Sequence, residues 1–410
     1  MSRGRRGNSG VSIASQELTS HILAPAPALL PTDVLETAAQ ALLNYKNTGL
    51  GIAEYSHRFQ HAADISNEAK ADLGSYLDIP ADYQVLFMQG GGSSIFNSTV
   101  YNVVGAWVAS RKAEILKQLG TTKEEEADQG KLVGAWKSQA ARPPGPEHVN
   151  VAADAQTIND GKFGNIPEES TWKPSKDAAF VYYCDNETIE SPHTKDDGTG
   201  PIVVADMSSI ILSRKLPVKN FSLVFFSAQK NLGSTRVTVF IIKKTLLPPT
   251  PPQPSPAPFI LTYGTIAKNN SLYNTLSIFD VYVADQIRPA AKKPLRTEKV
   301  VLIYEALEAH PNVYRIMSVK LVRSRMNICF RITRNGETDK TEAEFLKQGI
   351  DISLTGLKGH RSVGGIRASN LRYPSPALRS WQRFYKNLLR YKMYPCSRGT
   401  ITKMNETQKV

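Results

Sequence analysis

Residues 201–233, PIVVADMSSIILSRKLPVKNFSLVFFSAQKNLG, decide how the rest of the chain is read. They hold two apolar runs, 202–205 and 221–226, each bounded by polar or turn residues. Short apolar runs of this kind read as strands buried on both faces, the pattern of a parallel α/β sheet. Asp206 follows the first run directly, and Lys230 follows the second after Ser-Ala-Gln. In open α/β sheets the carboxyl ends of the strands are where ligands sit. The plain alternatives stay open here. An Asp after a strand commonly caps a turn or helix, and Ser208 and Ser209 supply such a turn. A Lys ahead of Asn-Leu-Gly is commonly a solvated loop residue.

A carboxylate and an amine delivered together to one sheet edge suit an enzyme that holds pyridoxal 5'-phosphate (PLP). The lysine would bond the cofactor and the aspartate would pair with its pyridinium nitrogen.

The remaining composition narrows the class. A chain of 410 residues has room for two domains, and 41% apolar with 21% charged residues is ordinary for a globular protein. No apolar run is long enough for a membrane helix, so no membrane partner is expected. The three cysteines, Cys184, Cys329 and Cys396, form no disulfide framework and no zinc pattern, and no metal is expected. So few thiols fit a reducing, cytoplasmic setting. The net charge of +13 raises a nucleic-acid hypothesis, but the excess is dispersed and no binding motif accompanies it. No nucleic-acid partner is expected.

Along the chain, residues 1–26 read as a disordered, Arg- and Ser-rich extension. Helix is predicted from about 65 to 77, strand over 83–88, and helix over 95–119. Further strands are expected near 132–136, 148–152, 178–184 and 237–242. Strands alternating with helices predict a doubly wound, mainly parallel sheet in a large domain over 27–285. Seven prolines in residues 248–258 make that stretch a semi-rigid connection. A smaller α+β domain is expected over 286–370, followed by a basic tail over 371–410.

Two further stretches carry chemistry. Gln-Gly-Gly-Gly-Ser-Ser (89–94) lies between a predicted strand and helix, where glycines and a helix N-terminus can cradle a phosphate. It matches neither GxGxxG nor a Walker loop, and a glycine-rich turn is often only a turn. KGHRSVGGIR (358–367) and SHR (56–58) are basic clusters suited to carboxylate or phosphate, or simply solvated loops.

Taken together the chain resembles the phosphoserine aminotransferase family, a group of class-V, fold-type I PLP enzymes. The resemblance spans most of 27–370 and rests on nine segments in order. Among them are VLFMQGGGS (85–93), CDNET (184–188), VVADMSS (203–209), AQKNLGS (228–234), NNSLYNT (269–275) and LKGHRSVGGIRASN (357–370). It implies PLP as cofactor, with Lys230 as the lysine that carries it and Asp206 on the ring nitrogen. It further implies Trp136 stacked on the ring, Gly92, Ser93 and Gln229 on the phosphate, and Thr188 near the ring hydroxyl. Asn274 and Thr275 would reach the phosphate in the neighbouring subunit of a homodimer. Arg367 would bind the α-carboxylate, and His57, Arg58, His360 and Arg361 the phosphate or side-chain carboxylate of the substrate. The implied reaction passes the amino group of L-glutamate to 3-phosphohydroxypyruvate.

Ile95, Ser227 and Arg236 depart from the family pattern, as do IESPHTKDD after Thr188 and the chain beyond Asn370. These departures leave a second reading, a diverged relative that at most binds PLP.

Overall fold

The structure is a computed structural model that describes residues 21–22, 28, 30–121, 149–185, 202–247, 257–286, 296–352, 354–360, 364–369 and 384. Its first strand, β1 (His21–Ile22), pairs in parallel with Leu354–Thr355. The expectation of a disordered extension through residue 26 therefore fails at His21 and Ile22. Their backbone groups find a partner strand, which ties down a chain end.

The large sheet comprises β2 (Tyr83–Met88), β3 (Val181–Cys184), β4 (Val203–Asp206), β5 (Leu223–Ser227) and β6 (Thr238–Lys243), in the spatial order β2-β6-β5-β4-β3. Neighbours β3, β4 and β5 run parallel, while β6 lies antiparallel between β5 and β2. Four strands thus share one direction and one is reversed. Helices α1 (Thr32–Leu43), α2 (Gln60–Tyr76), α3 (Gly91–Thr99), α4 (Gly105–Gln118), α5 (Tyr263–Lys268) and α6 (Ile278–Gln286) accompany it.

Alternating strand residues serve two separate cores. Val85, Phe87, Ala205, Val224, Phe226 and Ile241 face α2 and α6, where they meet Ile65, Leu73 and Val281. Leu86, Val204, Leu223, Phe225 and Phe240 face the other way, against Ile95, Tyr263 and Ile266. Helices on both faces explain why the strands read as unbroken apolar runs. The sheet is the doubly wound, mainly parallel one expected of an α/β protein.

The second sheet is antiparallel. It follows α7 (Arg296–Glu308) and orders β10 (Lys358–His360), β11 (Gly364–Ser369), β8 (Asn327–Ile332) and β7 (Tyr314–Ile316) side by side. Strand β9 is the Leu354–Thr355 partner of β1, and α8 (Asp339–Asp351) precedes it. Ile328, Phe330 and Ile332 alternate toward a core shared with Ile366, Phe345 and Phe384. Phe384 lies in the stretch read as a basic tail, and its ring meets Phe330 and Phe345 in an apolar core.

Local differences have local causes. Helix α2 starts at Gln60, ahead of the predicted 65, because its polar first turn is held by Gln60 Nε2 donating to Asp64 Oδ1 at 2.8 Å. Such a turn leaves no apolar period. The helix predicted over 95–119 runs as α3, a π turn at Val100–Val104, and α4. The strand expected over 148–152 is absent from described residues 149–152. Val149 and Val151 are exposed there, and the stretch meets Lys173 instead of a strand, taking its N–H at Ala152 O and donating to its carbonyl from Asn150 Nδ2. The strand expected near 132–136 lies outside the described residues, as does the proline-rich stretch up to 256.

Candidate active site

Because β2, β4 and β5 share a direction, their carboxyl ends bring Met88, Asp206 and Ser227 to one edge of the sheet. Asp206 there does two things. Its Oδ1 accepts the Ser208 N–H at 2.8 Å, so the capping alternative is realised as a tight turn. Its Oδ2 is turned toward Gly92, where a Cβ would stand 3.6 Å from it and 3.9 Å from Ser227 Oγ. The cap fixes the rotamer and leaves the second oxygen for a ligand.

Gly92 and Ser93 belong to the first turn of α3, whose N-cap Gly90 has φ +106. Only glycine suits that position, because a Cβ there would also stand 2.4 Å from Ser94 Cβ. The free N–H groups of this turn point at the sheet edge with the positive end of the helix dipole, a ready anion site.

Lys230 closes the short 3-10 turn Ala228–Lys230 just beyond β5. Its Nζ donates to Ser209 Oγ at 3.1 Å. Burial pushes the Lys230 amine below its ordinary value, and the Arg367 charge pushes the same way. Asp206 and Cys184 oppose the shift. Gln229, half-buried, accepts the Ala28 N–H at its carbonyl at 3.0 Å, which seats residue 28 against the lysine turn.

Arg367 comes from the other sheet. It lies on β11 opposite Cys329, and its N–H donates to Leu357 O at 2.8 Å. Its Nε is buried with no hydrogen-bond partner among the described residues. A guanidinium donor left open near Lys230 is chemistry for a carboxylate.

The other expected residues divide clearly. Asn274 and Thr275 are exposed on the loop after α5. His57 is half-buried and Arg58 exposed in the turn that leads into α2. His360 ends β10. Trp136, Thr188 and Arg361 lie outside the described residues.

Several contacts of the site carried no signal of their own in the sequence. Ser209 holds the lysine, and Ser208 Oγ accepts the Ser227 N–H at 3.0 Å. The paired serines after Asp206 are, in hindsight, the pattern that could have indicated this. Cys184 pairs with Asp206 across β3 and β4, and its Sγ lies 3.1 Å from Tyr182 Oη. Desolvation pushes the Cys184 thiol up, and the Asp206 charge pushes the same way. The second carboxylate nearby, Asp185, is neutralised by Arg214 at 2.5 Å. Of the departures, Ile95 is fully buried on the inner face of α3 and faces the core, while exposed Arg236 adopts φ +78, a glycine-like conformation.

This donor set fits PLP. A carboxylate with one open oxygen, an amine of lowered basicity and a glycine cradle that a Cβ would fill stand at one sheet edge. Fold and site together define a PLP-dependent transferase of fold type I. The family model for class-V aminotransferases matches residues 21–122 and 191–376. The phosphoserine aminotransferase of Saccharomyces cerevisiae is 36% identical over 372 residues, covering 84% of this chain and 90% of its own. A phosphoserine aminotransferase solved in a study of radiation damage to its Schiff base superposes with TM-score 0.71 at 28% identity, covering 90% of this chain and 98% of that one. The PLP-bound enzyme of Trichomonas vaginalis gives TM-score 0.68 at 29% identity, covering 90% and 99%. The chain belongs to the phosphoserine aminotransferase family.

Proposed function

We propose that this chain moves the amino group of L-glutamate onto 3-phosphohydroxypyruvate, in two half-reactions that yield 2-oxoglutarate and O-phospho-L-serine. It would act as a homodimer with shared active sites, in the cytoplasm. The observation that carries the reading is the convergence of Asp206 and Lys230 at one sheet edge with the open Nε of Arg367 close enough to bias the amine.

In this reading Lys230 holds PLP and Asp206 Oδ2 pairs with its ring nitrogen. The Gly92–Ser93 turn and Gln229 take the phosphate, Trp136 stacks on the ring and Thr188 reaches its hydroxyl. Bound there, PLP supplies an electron sink that makes the substrate Cα–H acidic. Arg367 orients the substrate by its α-carboxylate, a two-point contact that fixes which Cα bond faces Lys230. Lys230 Nζ would then take the Cα proton and hand it to the cofactor's C4′ carbon, on the far side of the substrate nitrogen. Lowered basicity keeps a larger fraction of that amine neutral and able to accept it. Ser209 Oγ holds the amine while it waits. His57, Arg58, His360 and Arg361 meet the phosphate or the side-chain carboxylate, so the same basic set serves both substrates.

Supporting the homodimer are the exposed Asn274 and Thr275, which have no anion of their own subunit to bind in this reading. Supporting the cytoplasm are the few cysteines. No helix among the described residues is long and apolar enough to cross a membrane.

The test is visible absorbance of the purified protein with PLP. Lysine-bound cofactor should appear on mixing, change on addition of glutamate, and be restored by 3-phosphohydroxypyruvate. Loss of the signal in Lys230→Ala is expected. PLP uptake with no response to glutamate would overturn the catalytic reading.

A further inference from the structure

The loop from Asn269 to Thr275 is pinned to the large sheet at three points. At its root, Lys70 Nζ on α2 donates to Asn270 O at 3.0 Å and Asn270 Oδ1 at 2.7 Å. Next, Ser271 Oγ accepts the Phe87 N–H of β2 at 2.9 Å. Asn270 and Ser271 both hold left-handed conformations, φ +51 and +72, which the pins sustain. At the tip, Gln89 Nε2 donates to Thr275 O, and Gln89 Oε1 accepts from Asn274 Nδ2 at 3.3 Å.

Leu272 and Leu276 pack into the large core on either side of the tip, but Tyr273, Asn274 and Thr275 between them are exposed. A cavity of about 210 Å³ lies beneath it, lined by Gln89, Gly90, Ser94, Tyr273 and Asn274 among others. Between those two anchors the exposed residues stand over open space, and the two Gln89 bonds fix where Asn274 and Thr275 stand. Gln89 also adjoins Gly90, the N-cap of the turn that carries Gly92 and Ser93.

We infer that Gln89 is a positioning residue that joins two phosphate-binding sets. It fixes the Asn274–Thr275 tip that one subunit offers to its partner's PLP, and it does so from the strand end that carries that subunit's own glycine turn. The inference rests on the shared-site homodimer proposed above.

Heterodimers of two differently tagged full-length chains separate the possibilities. In each, one subunit carries Lys230→Ala, so covalent capture of PLP by borohydride, read by mass spectrometry against PLP concentration, reports the other subunit's site alone. Placing Gln89→Ala on the Lys230→Ala subunit should weaken PLP capture at the intact site about tenfold, the scale of two lost hydrogen bonds. Placing it on the subunit with the intact lysine should change capture less than about threefold. Gln89→Glu, which keeps the acceptor for Asn274 but loses the donor to Thr275, should fall between. It also serves as the readout if the alanine variant does not fold. Asn274→Ala on the Lys230→Ala subunit is the control for the underlying reading. If that control leaves capture unchanged, or the protein is monomeric, the shared site and this inference both fall. If the control weakens capture but Gln89 changes are silent, or act equally or only from the intact subunit, this inference alone is overturned.

Discussion

Two adjacent glycines should respond to the same substitution in opposite ways. Gly92 lies inside the first turn of α3 in an ordinary helical conformation, and its added Cβ would meet Asp206 Oδ2 at 3.6 Å, normal contact. Gly92→Ala should therefore leave the apo-protein as stable as the parent or about 0.5 kcal/mol more so, from the reduced freedom of the unfolded chain. The methyl, however, covers the one Asp206 oxygen left open to the ring nitrogen. Losing that charge-assisted bond is worth about 1.5–3 kcal/mol, a ten- to hundred-fold weaker PLP affinity. Gly91 has φ +67 and nothing within 4 Å of its would-be Cβ. Gly91→Ala should cost about 1–2 kcal/mol of stability through left-handed strain and place no atom on Asp206. Thermal denaturation of the apo-proteins and PLP titration followed by absorbance give both quantities for each variant. If Gly92→Ala binds PLP as tightly as the parent, the open oxygen of Asp206 does not receive the ring, and the site has been assembled wrongly.

Three further expectations are simpler. Arg236→Gly should stabilise the protein by about 0.5–1 kcal/mol in denaturant unfolding, because the exposed side chain adds little packing and φ +78 no longer costs strain; destabilisation would mean the arginine side chain makes a compensating contact. Ser209→Ala should leave the fold intact but alter the pH dependence of Lys230 acylation in the apo-protein, with Ser209→Thr restoring the parental profile; unchanged reactivity would show that the 3.1 Å bond does not govern the amine. Burial lowers Lys70 to about 8 from 10.5. Its folded state therefore binds fewer protons than the unfolded state between those values, and its contribution to stability rises with pH across that window, by at most about 3 kcal/mol. Unfolding of the parent relative to Lys70→Met from pH 7.5 to 10.5 checks the sign, and a flat difference would mean that the two Asn270 oxygens keep the amine charged.

What could be read without coordinates was what local pattern encodes. Mainly apolar runs at 83–88, 202–205 and 221–226 announce strands covered on both sides, and the residues that follow them fall at a strand's carboxyl end by arithmetic alone. The placement of Asp206 and Lys230 was legible for that reason, and the segments shared with a known family suggested the chemistry proposed for them. Polar turns carry no such period. The start of α2 and the unpaired stretch at 149–152 were misplaced accordingly, because a helix turn held by Gln60 and Asp64 looks like a loop, and valines with no sheet edge beside them look like a strand.

Tertiary structure decided the relations that cross the chain. Sheet order sets Cys184 beside Asp206, and the turn after β4 lends Ser209 to a lysine twenty-one residues away. The second sheet carries Arg367 to within electrostatic reach of Lys230 with one donor open. Ile95, out of place in the motif, proves to be a core residue because helix phase turns it inward. Sequence determined which residues could do chemistry, since side-chain type and local period are properties of short segments. Which of them meet, and with which atoms free, depends on register and packing between distant segments, and only the fold specifies those.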